Sequence, residues 1–215
     1  MYKNFLKRFF DIIFSLLGMI ILSPLFLCVA LAIKIDDGGP VFFKQKRVGT
    51  KKSHFWLYKF RSMKTNTPDV PTHLFNEPEK YISRVGGVIR KLSIDELPQL
   101  WNILRADMSI IGPRPALWNQ YDLIAERDKY GANDIRPGLT GLAQISGRDE
   151  LEIPIKAKLD GEYVATLNLG GFKGLAMDIK CFVGTIFSVL KSDGVVEGGT
   201  GKTEKQAKEK EEAKV

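Results

Sequence analysis

Asp95 and Glu96 stand side by side in SIDELPQLWNILRADMSIIGPRP, the stretch from Ser93 to Pro115, and Arg114 is held between two prolines at its end. Adjacent carboxylates can serve a helix or a reaction. In the first role Asp95 caps a helix and Glu96 favours the positive end of its dipole, each worth about 1 kcal/mol or less. Ser93 and Glu96 even satisfy the S-x-x-E capping box. In the second role one acid is a nucleophile and the other a metal ligand. The surrounding cations favour the second. Arg90 and Lys91 precede the pair, and Arg136 and Arg148 lie in the glycine-rich DIRPGLTGLAQISGRDE, where side chains are more often functional than core. A helix N-terminus flanked by arginines suits phosphate. A carboxylate attacking a phosphate meets like charge, roughly 4 kcal/mol for unit charges 4 Å apart at an effective dielectric of 20. Such an attack calls for guanidinium groups and Mg²⁺, with the second acid as a ligand. The arrangement suits a covalent aspartyl-phosphate route; the residues alone reach a phosphate-handling enzyme at a membrane.

The elements that must position these groups can be read next. Leu97, Leu100, Trp101 and Leu104 recur at helical spacing, and Pro98 fits only in a first turn, so the spacing predicts a helix starting within a residue or two of Asp95. VFFKQKRVGTKKSHFWLYKFRSM reads as a β-hairpin around GTKKS. In its second strand His54, Trp56, Tyr58 and Phe60 share one face; Phe55, Leu57, Lys59 and Arg61 share the other. Lys59 and Arg61 then form either a phosphate clamp or a pair of solvated edge charges. TNTPDVPTHLFNEPEK, with three prolines, reads as a loop, and Tyr81–Lys91 as a short helix or turn interrupted by Gly86-Gly87. IIGPRPALWNQYDLIAERDKYG is expected to open on a rigid turn and continue as an amphipathic helix, and DIRPGLTGLAQISGRDE to be an irregular loop. Helices are expected near 154–167 and 172–190. The tail, residues 192–215, has almost nothing to bury and is expected to be disordered. Its EGGTGKT lacks the first glycine of a phosphate-binding loop, since position 196 is Val, and no strand precedes it.

The N-terminus sets the environment. Ile12 to Ile33 is a run of 22 residues without charge, about 33 Å as one helix and long enough to cross a bilayer core. Ser23-Pro24 interrupts it near the middle, leaving halves of about 18 Å that cannot cross alone. Lysines and arginines flank both ends, which places both on the cytoplasmic side. A helix–break–helix that enters and leaves one leaflet satisfies both observations, with a single span as the alternative. The 215-residue chain carries a formal charge of +7, which favours anionic partners. No nucleic-acid module accompanies that charge, so nucleic acid is not an expected partner. Two cysteines, Cys28 and Cys181, lack metal spacing and read as apolar fillers. Two histidines are too few for a histidine-based metal site.

KFRSM (59–63), SIDELPQLWNIL (93–104), MSIIGPRP (108–115) and RPGLTGLAQISGR (136–148), in this order behind an apolar segment broken at Ser-Pro, resemble the small monotopic phosphoglycosyl transferases, the bacterial sugar transferase family. The likeness spans roughly Tyr2 to Lys191. It implies an α+β, mainly helical fold: a re-entrant membrane helix over 1–36 broken at Ser23-Pro24, then a cytoplasmic catalytic domain over 37–191 with a β-hairpin and surface-lying amphipathic helices. It implies transfer of a sugar 1-phosphate from a UDP-sugar to a polyprenol phosphate, undecaprenyl phosphate in the usual case, with release of UMP at the cytoplasmic face of the inner membrane. This step starts capsule, O-antigen or glycoprotein glycan assembly. By the same likeness Asp95 is the nucleophile of a ping-pong mechanism, and Glu96, with Asp95, holds Mg²⁺. Arg90 and Arg114 hold phosphate, Lys59 and Arg61 assist, and Arg136, Gln144 and Arg148 lie near nucleotide or phosphate. Membrane lipid is a partner, as are a second copy of the chain or downstream glycosyltransferases. TPDVPTHL and GPRPALWNQYDLI are most similar to capsule-type members using N-acetylated 6-deoxy amino sugars. The chain departs from the pattern at LDGEYVATLNL, where many members have paired tyrosines, and at GGFKGLAMDIK. Asp160 and Asp178 are accordingly expected to be surface or capping residues. The rival expectation is a catalytically silent, membrane-docked UDP-sugar-binding scaffold, which would bind nucleotide, form no adduct and tolerate Asp95→Asn. A conventional glycosyltransferase would release UDP instead of UMP.

Overall fold

The computed structural model of the chain describes residues 2–67, 78–147 and 151–191. Arg148, most of the proline-rich loop and the charged tail lie outside the described residues. The fold is α+β and mainly helical, with two separate two-stranded sheets among the described residues.

A π-helical turn, Tyr2–Leu6, leads into α1 (Lys7–Ile21), and α2 (Ser23–Asp37) follows after Leu22. Pro24 falls in the first turn of α2, where a missing N–H costs nothing, and the Ser23 hydroxyl donates to the carbonyl of Ile20 at 2.8 Å. The two axes differ by 60°. Among the described residues no single helix is long and apolar enough to cross a membrane, although this bent pair passes that test together. The polarity of α1 is inverted relative to a helix on a water-soluble core. Its buried residues are Asp11 and Ser15, while Phe9, Ile12, Phe14, Leu16 and Leu17 face outward. Burying one such side chain is worth about 1.5–3 kcal/mol. Leaving five in water forgoes a sum comparable with the roughly 5–15 kcal/mol that holds a domain together.

β1 (Phe42–Val48) and β2 (His54–Phe60) form the antiparallel hairpin, in register from Phe42↔Phe60 to Val48↔His54. Leu57 packs on Leu100, Ile103 and Met108, with Met19 of α1 and Phe26 of α2 beside them. α3 (Arg84–Lys91) is capped by the Ser83 hydroxyl, which accepts from Gly86 N at 2.9 Å. Gly86 also lets this helix meet the backbone of Ser62, because a Cβ there would lie 1.9 Å from the Ser62 carbonyl oxygen.

The helix expected at Asp95 begins later. Ile94–Glu96 is a single 3₁₀ turn, and α4 (Gln99–Leu104) starts beyond Pro98. Ser93 adopts a left-handed conformation (φ +55°) and its side chain caps nothing, so the capping box does not form. β3 (Ser109–Ile111) and β4 (Gly138–Thr140) pair in parallel, and α6 (Leu142–Ile145) follows β4. The expected irregular loop is thus partly regular. Period-based reading misses three-residue strands whose pairing partners lie 29 residues apart. The helix after GPRP is also short, α5 (Tyr121–Asp128). α7 (Ile153–Leu169) and α8 (Gly171–Lys191) match expectation and enclose the largest cluster, including Tyr163, Val164, Leu167 and Cys181. Phe172, Ile179, Phe182 and Phe187 of α8 face outward.

Candidate active site

Three segments converge on the carboxylate pair. The turn Ile94–Glu96 presents Asp95 and Glu96, both largely withdrawn from solvent, with side chains 10% and 12% exposed. β2 supplies Lys59, whose Nζ lies 2.8 Å from Glu96 Oε1 and 3.7 Å from Asp95 Oδ2. The Gly112–Pro115 loop supplies Arg114, which grips Glu96 with both ends of its fork, Nη2 to Oε1 at 2.6 Å and Nη1 to Oε2 at 3.2 Å. Arg90, at the end of α3, donates from Nε to the Ser62 hydroxyl at 2.7 Å and acts on Asp95 through its charge.

The supporting contacts explain why these side chains meet. Asn102, fully buried in α4, donates to the Trp56 carbonyl at 2.8 Å and accepts from Tyr58 N at 3.0 Å. This locks α4 to β2, and hence Glu96 to Lys59. Arg127 of α5 donates to the Arg114 carbonyl at 2.9 Å and pairs with buried Asp160, Nε to Oδ2 at 2.8 Å. Arg47 donates to the Pro115 carbonyl at 3.0 Å. The backbone that leaves the Arg114 side chain on its C-terminal side is thereby fixed.

Electrostatics divide the two acids. Burial raises the Asp95 carboxyl above the usual carboxylate range; Lys59 opposes this, and the neighbouring Glu96 charge reinforces it. Burial alone would also raise Glu96, but the charges of Arg114 and Lys59, with their hydrogen bonds, hold it well below its ordinary value. Glu96 is therefore held in its anionic form, and Asp95 has the weaker claim on the shared cations. A partly desolvated carboxylate among three cations is an arrangement chemically suited to meeting a phosphorus centre. Among the described residues no three His, Cys, Asp or Glu side chains form a metal-ligand group. Two adjacent carboxylates are nevertheless a fitting protein share for Mg²⁺, which commonly takes one or two carboxylates plus substrate phosphates.

The other expected site residues are dispersed. Arg61 does not join Lys59 in a clamp. It lies one residue past β2, buried and bonded to Asp37 Oδ2 at 2.7 Å, and this counter-ion engages the side chain. Arg136 donates to the Ala106 carbonyl at 3.1 Å and lines a cavity of about 870 Å³ with Lys3, Arg8 and Asp11, beyond the C-terminal end of α4. Gln144 is buried in α6, with neither atom of its amide paired in the structure. Asp160 and Asp178 are not surface or capping residues. Asp160 forms the pair with Arg127, and Asp178 accepts from Tyr2, Lys7 and Tyr163 at 2.6–2.7 Å. Sequence reading missed Asn102 and Asp11 as well. Their signal was available: a carboxamide inside an apolar helical repeat, and an acid at the threshold of an uncharged run.

The sequence profile of the bacterial sugar transferase family matches residues 2–192. The chain is 39% identical over 178 residues to the exopolysaccharide production protein ExoY of Sinorhizobium fredii, covering 76% of this chain and 78% of that one. It is 38% identical over 190 residues to the uncharacterized sugar transferase EpsL of Bacillus subtilis, covering 88% and 90%. It is 37% identical over 208 residues to the undecaprenyl-phosphate galactose phosphotransferase of Salmonella typhimurium, covering 89% of this chain but 42% of that longer protein. With the matched profile running through the hairpin, the carboxylate turn, the Arg114 loop and both C-terminal helices, the chain belongs to the bacterial sugar transferase family.

Proposed function

We propose that this phosphoglycosyl transferase moves a sugar 1-phosphate from a UDP-sugar to a polyprenol phosphate in two displacements at Asp95. In the first, an Asp95 carboxylate oxygen attacks the phosphorus that bears the sugar. The pyrophosphate bond breaks, and its electron pair leaves with UMP. In the second, a phosphate oxygen of the polyprenol phosphate attacks the same phosphorus, the acyl-phosphate bond breaks, and Asp95 is regenerated as polyprenyl diphosphate sugar departs. The Salmonella relative, named an undecaprenyl-phosphate galactose phosphotransferase, supports undecaprenyl phosphate as the acceptor class.

The observation that carries this reading is the asymmetry between the two acids: Glu96 is pinned by Arg114 and Lys59, while Asp95 has its carboxyl raised by burial beside the same cations. Lys59, Arg90 and Arg114 provide the positive field that a carboxylate needs to approach a diphosphate. Asp95 and Glu96 would hold Mg²⁺, which when bound supplies further neutralisation of the diphosphate. The bent α1–α2 pair, with its outward apolar face and basic flanks, supports a re-entrant insertion into the cytoplasmic leaflet of the inner membrane. That arrangement puts the site at headgroup level, where a lipid phosphate is met.

The test is intact-protein mass after mixing the enzyme with Mg²⁺ and individual UDP-sugars, N-acetylated 6-deoxy amino sugars included, without acceptor. A sugar-phosphate increment that is lost in Asp95→Asn is the expected result. Nucleotide binding with neither an adduct nor UMP release on adding polyprenol phosphate would replace the transferase with a binding scaffold.

A further inference from the structure

Two of the polar side chains that α1 turns toward the protein reach the backbone of the two segments that carry the site residues, α4 and β3. Arg8 donates from Nη1 to the Ile103 carbonyl at 2.6 Å and from Nη2 to the Leu104 carbonyl at 3.0 Å. These are the last two residues of α4, so the guanidinium sits where a helix C-terminus attracts a cation. Three residues on, Asp11 accepts from the Ser109 hydroxyl at 2.8 Å and from Ile110 N at 2.9 Å, holding the start of β3. The segment led by Asp95 and Glu96 ends in Arg8's grip. The segment that continues through Gly112 and Pro113 to Arg114 begins in Asp11's.

We infer that Arg8 and Asp11 are positioning residues for the transferase, fixing the spacing of Glu96 and Arg114 by holding the chain between them at the end of α4 and the start of β3. This rests on the transferase reading. α4 is six residues long, about 9 Å, too short to absorb a displacement by bending, so a shift at its C-terminus reaches the turn that precedes it. β3 is a three-residue strand leading directly into the Arg114 loop. The grips lie on one face of one helix, so α1 moves both partners of the Glu96–Arg114 pair as a single lever. The outward face of that helix is apolar. The seating of α1 in lipid is thus coupled mechanically to the reacting groups.

A double-mutant cycle tests this in the full-length enzyme in lipid nanodiscs, after wild-type turnover has been established in the same preparation. Asp11→Ala is expected to lower kcat about ten- to hundred-fold, the scale of a 1 Å misplacement. Ser109→Ala, which removes one of Asp11's two bonds, should lower it several-fold. The decisive comparison is with Arg114→Ala. If Asp11 acts through Arg114, the Asp11→Ala/Arg114→Ala double variant is no slower than Arg114→Ala alone, whereas independent effects multiply. Multiplying losses, or an Asp11→Ala enzyme at wild-type kcat, would overturn the inference while leaving the transferase reading intact. Should Asp11→Ala fail to fold, Ser109→Ala with Arg114→Ala closes the same cycle.

Discussion

Arg127–Asp160 and Arg114–Glu96 are both guanidinium–carboxylate pairs, joined through the bond from Arg127 to the Arg114 carbonyl. Their surroundings differ. The first is sealed, with side chains 4% and 1% exposed. In the second Arg114 is 32% exposed, and Glu96 is shared with Lys59 beside a second carboxylate. A sealed pair has no competitor and acts as a rivet. An open pair offers its cations to any anion that arrives, and Arg114 and Lys59 can turn from Glu96 toward an incoming phosphate without a net loss of charge pairing. The same chemistry is thus sealed in the fold in one place and, in the proposed function, open to substrate in the other.

The comparison breaks most sharply at the rivet. Asp160→Ala leaves the Arg127 charge buried without its partner and should cost about 3–5 kcal/mol in chemical denaturation. Replacing both residues, Arg127→Met with Asp160→Leu, should recover most of that stability. At the open pair Arg114→Lys keeps the charge and loses the fork. It should lower turnover about ten- to hundred-fold with little change in the unfolding midpoint, read by UMP release beside a thermal melt.

pH sharpens the contrast within the open site. In the proposed route Asp95 attacks as a carboxylate, and burial raises its pKa above the ordinary value. The acid limb of kcat/KM should therefore lie above the usual aspartate value, with rate falling as pH falls through it. Lys59→Met removes the cation that most opposes burial and should move that limb to higher pH. In stability the two acids have opposite signs. Asp95's contribution is full below the ordinary value and is lost as pH rises through its raised one. Glu96's is present above the ordinary value and is lost only as pH falls through its depressed one. The smallest effect is expected at Lys52–Asp128, a solvent-exposed pair at 3.0 Å. Lys52→Ala should leave both activity and midpoint unchanged within error.

Much of this site was legible because it is local. Asp95-Glu96 and the Arg114 loop stand out by residue type, Lys59 is left open between a phosphate clamp and an edge charge, and Ser23-Pro24 marks the bend. What escaped depends on partners distant in sequence. Nothing near Arg61 in the chain reveals that Asp37 will claim it, and nothing near Asp160 points to Arg127, 33 residues away. The capping motif at Ser93 was a misleading local signal. Lys59 and Arg114 hold Glu96 by charge, a stronger claim than one backbone N–H, and the helix starts after Pro98 instead.

The two cysteines have a practical consequence. Cys181 is sealed in the core, its thiol pushed up to about 12, while Cys28 is exposed on α2, six residues beyond Leu22. A thiol-reactive fluorophore or spin label will therefore go to a single place without any engineering. Quenching of that probe by lipids brominated at successive acyl-chain carbons would give the depth of α2 as a distance, measured on the unaltered chain.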